Sequence, residues 1–324
     1  MRLHFGRRRT WLALGVSVLV LAACTNSKFI IGTFYKRMDN KALDAIAEWT
    51  DLQPEQSAEV RAYIGTFHTW HRRTQLPAYA NWIRSITATV ATPGQATPED
   101  FDTWFGGMRE HMEALRACHP AHYAVPLGRT LTLEQVDLAE KTWRERRAKN
   151  RERFADVTRE ERIDRRVANT RKFLGRLGFD LTSSQRTLIK ATMLVQPDIR
   201  AESRQLADDW NEAFFSILRD KDVPNFDEQL AQHVTDLFSR NERAYPDEWN
   251  ERRLLWRDFA IRFEKTLSAK QRAHAVTWLN KLSRTLDQVA LDRPEWLPAD
   301  DPAYGCVVGV SGSNGAPAGI AEPQ

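Results

Sequence analysis

Leu131-Thr132-Leu133-Glu134-Gln135 is the stretch that decides the fold, because three other stretches repeat its pattern. They are Leu52-Gln-Pro-Glu-Gln56, Leu181-Thr-Ser-Ser-Gln185 and Leu267-Ser-Ala-Lys-Gln271. The first turn of a helix leaves backbone N–H groups without partners. Thr132, Thr182 or Ser268 can accept one of these hydrogen bonds as N-cap. Gln135, Gln185 or Gln271, three residues on, can reach back to the cap's own N–H, which makes a capping box. Gln53 is a poor cap, but Pro54 suits the first helical position. Only Leu131 has an apolar partner, Val136, at the spacing of a hydrophobic staple.

Outward from these starts the chain reads as all-α. Seven glycines fall between residues 33 and 304, and none after Gly178 in that range. No alternating apolar runs bounded by turn dipeptides suggest strands. Helices are expected near 36–49, 54–72, 77–91, 98–117, 132–155, 158–177, 183–220, 225–241, 245–266 and 269–291, with breaks allowed in the long ones. Pro77 should start or kink a helix. Pro93-Gly94 and His119 to Gly128 read as loops. The architecture expected is a bundle of long antiparallel helices over 36–298. It forms one body or two subdomains divided near 119–130. A disordered Gly- and Pro-rich tail is expected over 299–324. The motif copies lie 79, 50 and 86 residues apart, which is not a solenoid period.

The N-terminus reads as a targeting segment. Arg7, Arg8 and Arg9 precede Trp11–Ala23, an uncharged apolar run of 13 residues. That suits a secretory leader and is short for a span of about 20 residues. The run ends Leu21-Ala22-Ala23-Cys24, which resembles a bacterial lipobox. Residues 1–23 would then be the signal peptide, Cys24 the acylated first residue (palmitate among its chains), and 24–35 a linker. Thr25 points to the outer membrane, with the body facing the periplasm. The leader carries four arginines and no acid, so the formal +4 becomes 47 − 4 − 43 = 0 without it. The basic pI therefore gives no case for nucleic acid. Cys118 and Cys306 remain, and an oxidising compartment permits a disulfide between them or two free thiols.

Candidate chemistry is sparse. His68 and His71 share a helical face, and His111, His119 and His122 add ligand types, but no recognisable third ligand completes a metal shell. No paired-Cys zinc motif, H-E-x-x-H, G-x-S-x-G or phosphate-binding glycine loop occurs. No catalytic residue, metal or cofactor is assigned, and the chain is read as non-enzymatic. Residues 141–172 hold 13 Lys or Arg against 6 Asp or Glu. Arg144, Arg147, Arg151, Arg162, Arg165 and Arg166 are a possible interaction surface for acidic lipid or protein. The competing reading is a solvated face with pairs such as Glu161–Arg165.

Repeated L-T-x-x-Q motifs in a helical envelope protein resemble the Spy and CpxP periplasmic proteins. That resemblance implies an all-α cradle, here as two Spy-like units, and chaperone or stress-signalling roles. Trp70-His71-Arg72, Thr74, Leu76-Pro77 and Tyr79 form W-H-R-x-T-x-L-P-x-Y. This resembles a family of uncharacterised proteobacterial lipoproteins, a domain of unknown function. The leading expectation is a lipid-anchored periplasmic protein that binds other envelope proteins. The alternative is a scaffold docking one partner. A metal-binding protein or hydrolase using His68, His71, His119 and His122 is a third reading.

Overall fold

The computed structural model describes residue 37 and residues 41–291. Leader, Cys24, linker, residues 292–298 and tail lie outside them. Among the described residues the fold is all-α, with no strand. Residues 41–50 are helical (α1). Next come α2 (Pro54–Trp70), a π-helical turn (His71–Gln75), α3 (Leu76–Ala91) and α4 (Pro98–Ala117). A 3-10 turn (Pro120–Tyr123) leads into α5 (Ala124–Thr130), α6 (Leu133–Arg153) and α7 (Arg159–Arg176). The remainder is α8 (Ser183–Val195), α9 (Arg200–Arg219), α10 (Phe226–Asp236), α11 (Arg240–Ala244), α12 (Pro246–Lys265) and α13 (Ala269–Leu291). None of these helices is long and apolar enough to cross a membrane.

Three apolar clusters hold the helices together. The largest joins α1, α2, α5, α6, α9 and α10 through Leu43, Val60, Ile64, Leu127, Val136, Phe215, Phe226 and Leu230, with both members of the Leu131–Val136 staple inside it. A second is a two-helix seam. Leu76, Tyr79, Ala80 and Ile83 of α3 meet Leu282, Leu286 and Val289 of α13, the i, i+3/i+4, i+7 spacing of one helix face. The third packs Ile163 of α7 and Ile189 and Met193 of α8 against Trp256, Phe259 and Phe263 of α12, with Leu181 beneath.

The structure sharpens the expected helix map at two places, Pro77 and residues 183–220, and departs from it at a third, residues 119–128. α2 and α3 do not break at Pro77; they run on as one helix through the π turn. Proline lacks an N–H, and its ring would collide with the carbonyl four residues earlier. The turn widens, with Leu76 N–H bonding His71 O five residues back, and the helix survives. Residues 183–220 are two helices separated around Pro197, because the residue before a proline is pushed out of the helical region. The 119–128 stretch is not a loop but a 3-10 turn and a short helix. Gly128 allows this: a Cβ there would sit 2.8 Å from Leu230 and 3.0 Å from Leu218. The Pro93-Gly94 turn is present, with Gly94 at φ 71°.

Candidate functional site: paired glutamine latches and a buried π turn

The boxes form where the motif places them. Thr132 N–H donates to Gln135 Oε1 (2.9 Å) and Gln135 N–H to Thr132 Oγ1 (3.2 Å). Thr182 with Gln185 repeats this at 2.9 and 3.2 Å, and Ser268 with Gln271 at 3.0 and 3.2 Å. In the first copy Gln53 N–H donates to Gln56 Oε1 at 2.9 Å, and Pro54 opens the helix.

Each glutamine has a second task, invisible in the linear motif. Gln56 Nε2 donates to Gln135 Oε1 (3.2 Å) and Gln135 Nε2 to Gln56 Oε1 (2.8 Å). Each amide also donates to the carbonyl two residues before the other motif's cap: Gln56 to Thr130 O and Gln135 to Asp51 O, both 2.9 Å. The other two copies form the same latch. Gln185 and Gln271 exchange amide hydrogen bonds at 3.1 and 3.0 Å; Gln185 reaches Thr266 O (3.3 Å) and Gln271 reaches Asp180 O (2.8 Å). Four motifs thus make two locks, each with approximate two-fold symmetry. One ties the start of α2 to the start of α6; the other ties α8 to α13. The irregular spacings resolve into 79 and 86 residues between latched partners.

Only an amide can do both jobs. Its oxygen serves the cap and its nitrogen reaches across, whereas a carboxylate only accepts. The contrast is within the chain. The boxes Thr97–Asp100 on α4 and Thr158–Glu161 on α7 carry acids at the same position. Among the described residues neither acid makes a bond of this kind to another motif.

The W-H-R-x-T-x-L-P-x-Y residues surround the π turn. His71 and Arg72 are buried, and Trp70 and Pro77 are half-buried. His71 packs on Phe67 (ring centroids 5.7 Å) and edge-on to Tyr79 (5.6 Å), and Tyr79 meets His111 at 4.8 Å. Thr74 Oγ1 donates back to Trp70 O (2.8 Å). Tyr79 Oη, Gln75 Oε1 and Trp278 Nε1 are buried without a hydrogen-bond partner among the described residues. Burial, then the Arg72 charge, lowers His68 to about 4. Burial, then His68, lowers His71 to about 3. Both are neutral packing groups at pH 7.

The four histidines of the metal reading are not assembled as one ligand set. His119 Nδ1 accepts from Ala121 N–H (3.0 Å), capping the 3-10 turn, and His122 Nε2 bonds Arg116 O (2.9 Å). Among the described residues no three His, Cys, Asp or Glu side chains are grouped to hold a metal ion. Cys118 is disulfide-bonded; Cys24 and Cys306 lie outside the described residues.

The basic stretch divides. Arg147 and Arg151 close on Asp208 of α9, which is buried. Burial raises Asp208, but the two guanidiniums outweigh it and hold the carboxyl below its usual range. Arg144 pairs with Glu140 (2.6 Å) and Glu212 (3.6 Å), and Arg162 with Asp198 (3.0 Å). Arg147 is thus a half-buried strut, and the other three are tied to carboxylates at or near the surface. Glu161 does not pair with Arg165, because its carboxylate is spent on Thr158 N–H (3.0 Å). Arg165 and Arg166 remain exposed, with no ion pair among the described residues.

A model described as a family of unknown function (DUF6279) matches residues 48–250. The chain belongs to this family. The match covers the first latch whole and only the Gln185 half of the second. No curated protein and no solved structure is detectably similar to the chain.

Proposed function

We propose that this member of the DUF6279 family is a lipoprotein of the bacterial envelope. Acylated Cys24 holds it to the membrane, its body faces the periplasm from the outer membrane, and it binds other envelope proteins rather than catalysing a reaction. The location rests on Arg7–Arg9, the apolar run Trp11–Ala23 and the Leu21-Ala22-Ala23-Cys24 junction.

The binding activity rests on one observation. Leu194, Val195 and Leu254 are 42%, 61% and 38% exposed. Arg252 Nη2 donates to Pro197 O (3.3 Å), drawing the end of α8 against α12, so these apolar side chains sit on neighbouring elements of a largely charged exterior. Exposed apolar surface of this kind suits contact with unfolded or partly folded chains. The first lock and the α3–α13 seam would keep the body rigid while this edge is used.

Three experiments test the reading. A Cys24→Ser variant should lose lipid labelling and leave the membrane fraction; retained labelling would remove the anchor. Light scattering of an aggregating client should fall with stoichiometric mature protein, and Leu194→Ser/Val195→Ser should weaken that effect. No suppression by the unsubstituted protein would end the chaperone-like reading. Crosslinking in cells that returned one dominant partner would favour the scaffold.

A further inference from the structure

The stretch from Arg165 to Arg176 holds five cations, Arg165, Arg166, Arg171, Lys172 and Arg176, and no acid. All five are exposed. None of the five side chains makes a hydrogen bond or ion pair among the described residues. The acids of α7 lie earlier and are in use: Glu160 and Asp164 reach Lys190 at 3.5 and 2.7 Å, and Glu161 caps the helix.

Arg165, Asn169, Lys172 and Arg176 fall at i, i+4, i+7 and i+11, one stripe about 16 Å long. The opposite face of α7 is occupied, with Ile163, Val167 and Leu174 in the cluster shared with α8 and α12. Across that contact Arg252 is lowered from its ordinary range, first by burial and then by the Arg166 charge, with Asp198 opposing. Like charges are thus crowded here, while Arg144, Arg146, Arg147 and Arg151 of α6 and Arg159 and Arg162 of α7 find carboxylates.

We infer that the exposed face of α7 is a docking surface for anionic phospholipid headgroups. Unspent like charge on a folded helix is self-repulsive, and a polyanion relieves it. The one exposed apolar side chain on that face is the methyl of Ala168, which suits a charged plane more than a protein hot spot. The inference rests on the lipid-anchored reading for one point: an acylated Cys24 would confine the body near a bilayer. The 17 residue-to-residue steps from Cys24 to Lys41 reach at most about 60 Å when extended. At that effective concentration a weak patch suffices.

The test uses the mature chain with Cys24→Ser, free of acyl chains, so that the anchor and the surface fail separately. Co-sedimentation with mixed phosphatidylglycerol–phosphatidylcholine vesicles is compared with pure phosphatidylcholine. Binding should require the anionic lipid and weaken with salt. Neutralising one basic residue near such a surface weakens partitioning about fivefold. Arg165→Gln/Lys172→Gln/Arg176→Gln should therefore lose well over tenfold. A control with the same charge change on α13, Lys270→Gln/Lys281→Gln/Arg284→Gln, should lose little. Unchanged melting temperatures would show that both variants are folded. Absence of vesicle binding by the unsubstituted chain overturns the inference, as does an equal loss in the control. Polyglutamate bound through α7 without vesicle binding would assign the surface to acidic protein instead.

Discussion

Gln135→Glu separates the two jobs of the latch glutamine. The new side chain keeps an oxygen for Thr132 N–H, as Glu161 does for Thr158 on α7. It loses the Nε2 donations to Asp51 O (2.9 Å) and Gln56 Oε1 (2.8 Å). Each hydrogen bond is worth about 1 kcal/mol net, and leaving a buried carbonyl unpaired costs a further ~1–3 kcal/mol. The substituted site is 6% exposed and would set a carboxylate against two oxygens. A loss of about 3–4 kcal/mol at pH 7 is expected from these terms together. Burial beside acceptors raises the new carboxyl's folded pKa above its unfolded value. Folding then takes up a proton, so the penalty relative to the parent chain shrinks as pH falls through that raised pKa. A protonated acid can also donate one bond. Urea unfolding of both proteins at pH 7 and pH 5, followed by circular dichroism, measures this. The reverse change on α7, Glu161→Gln, is the control and should be near neutral. A Gln135→Glu penalty under about 0.5 kcal/mol, the size of an ordinary surface change, would refute the reasoning.

Other outcomes follow from individual contacts. Tyr79→Phe removes a buried hydroxyl that has no partner among the described residues; thermal melting should show it neutral or slightly stabilising, and a large loss would contradict that. Arg272 joins three elements, pairing with buried Glu264 at 2.6 Å and donating to Val90 O at 2.9 Å. Arg272→Met strands that carboxylate and should cost about 3–5 kcal/mol in denaturant titration, with Glu264→Gln restoring part. His68 and His71 are lowered in the fold by burial, so the unfolded chain binds more protons between their folded values and ordinary histidine. Stability is full above about pH 6.5 and falls as pH drops toward 4. His71→Gln should flatten that slope in pH-dependent unfolding.

The helix starts were legible in the sequence because capping is local chemistry: Thr132, Thr182, Ser268 and Pro54 act within four residues of themselves. The latches were not, since their partners lie 79 and 86 residues away and the pairing is set by packing. The same limit explains the basic stretch. Charge density marks Arg144, Arg147, Arg151 and Arg162, but Asp208, Glu212 and Asp198 that meet them come from other parts of the chain. Arg171 and Lys172 belong to the same basic stretch and Arg176 lies just beyond it, but only the fold shows that no acid meets them among the described residues. The π turn was half legible. Pro77 announced a disturbance, but whether the helix broke or widened is not written in the residues around it. The expected loop before Gly128 failed because glycine served a close approach to Leu218 and Leu230 rather than a turn.

The central claim is that four motifs act as two pairs. Double-mutant cycles test it most directly, with alanine at Gln56, Gln135, Gln185 and Gln271 and unfolding free energy as the readout. Contacting residues couple by about 0.5–3 kcal/mol, while distant ones add within about 0.5 kcal/mol. Gln56 with Gln135, and Gln185 with Gln271, should fall in the first range; Gln56 with Gln271 and Gln135 with Gln185 should fall in the second. Additive behaviour within the pairs, or equal coupling across them, would contradict the account.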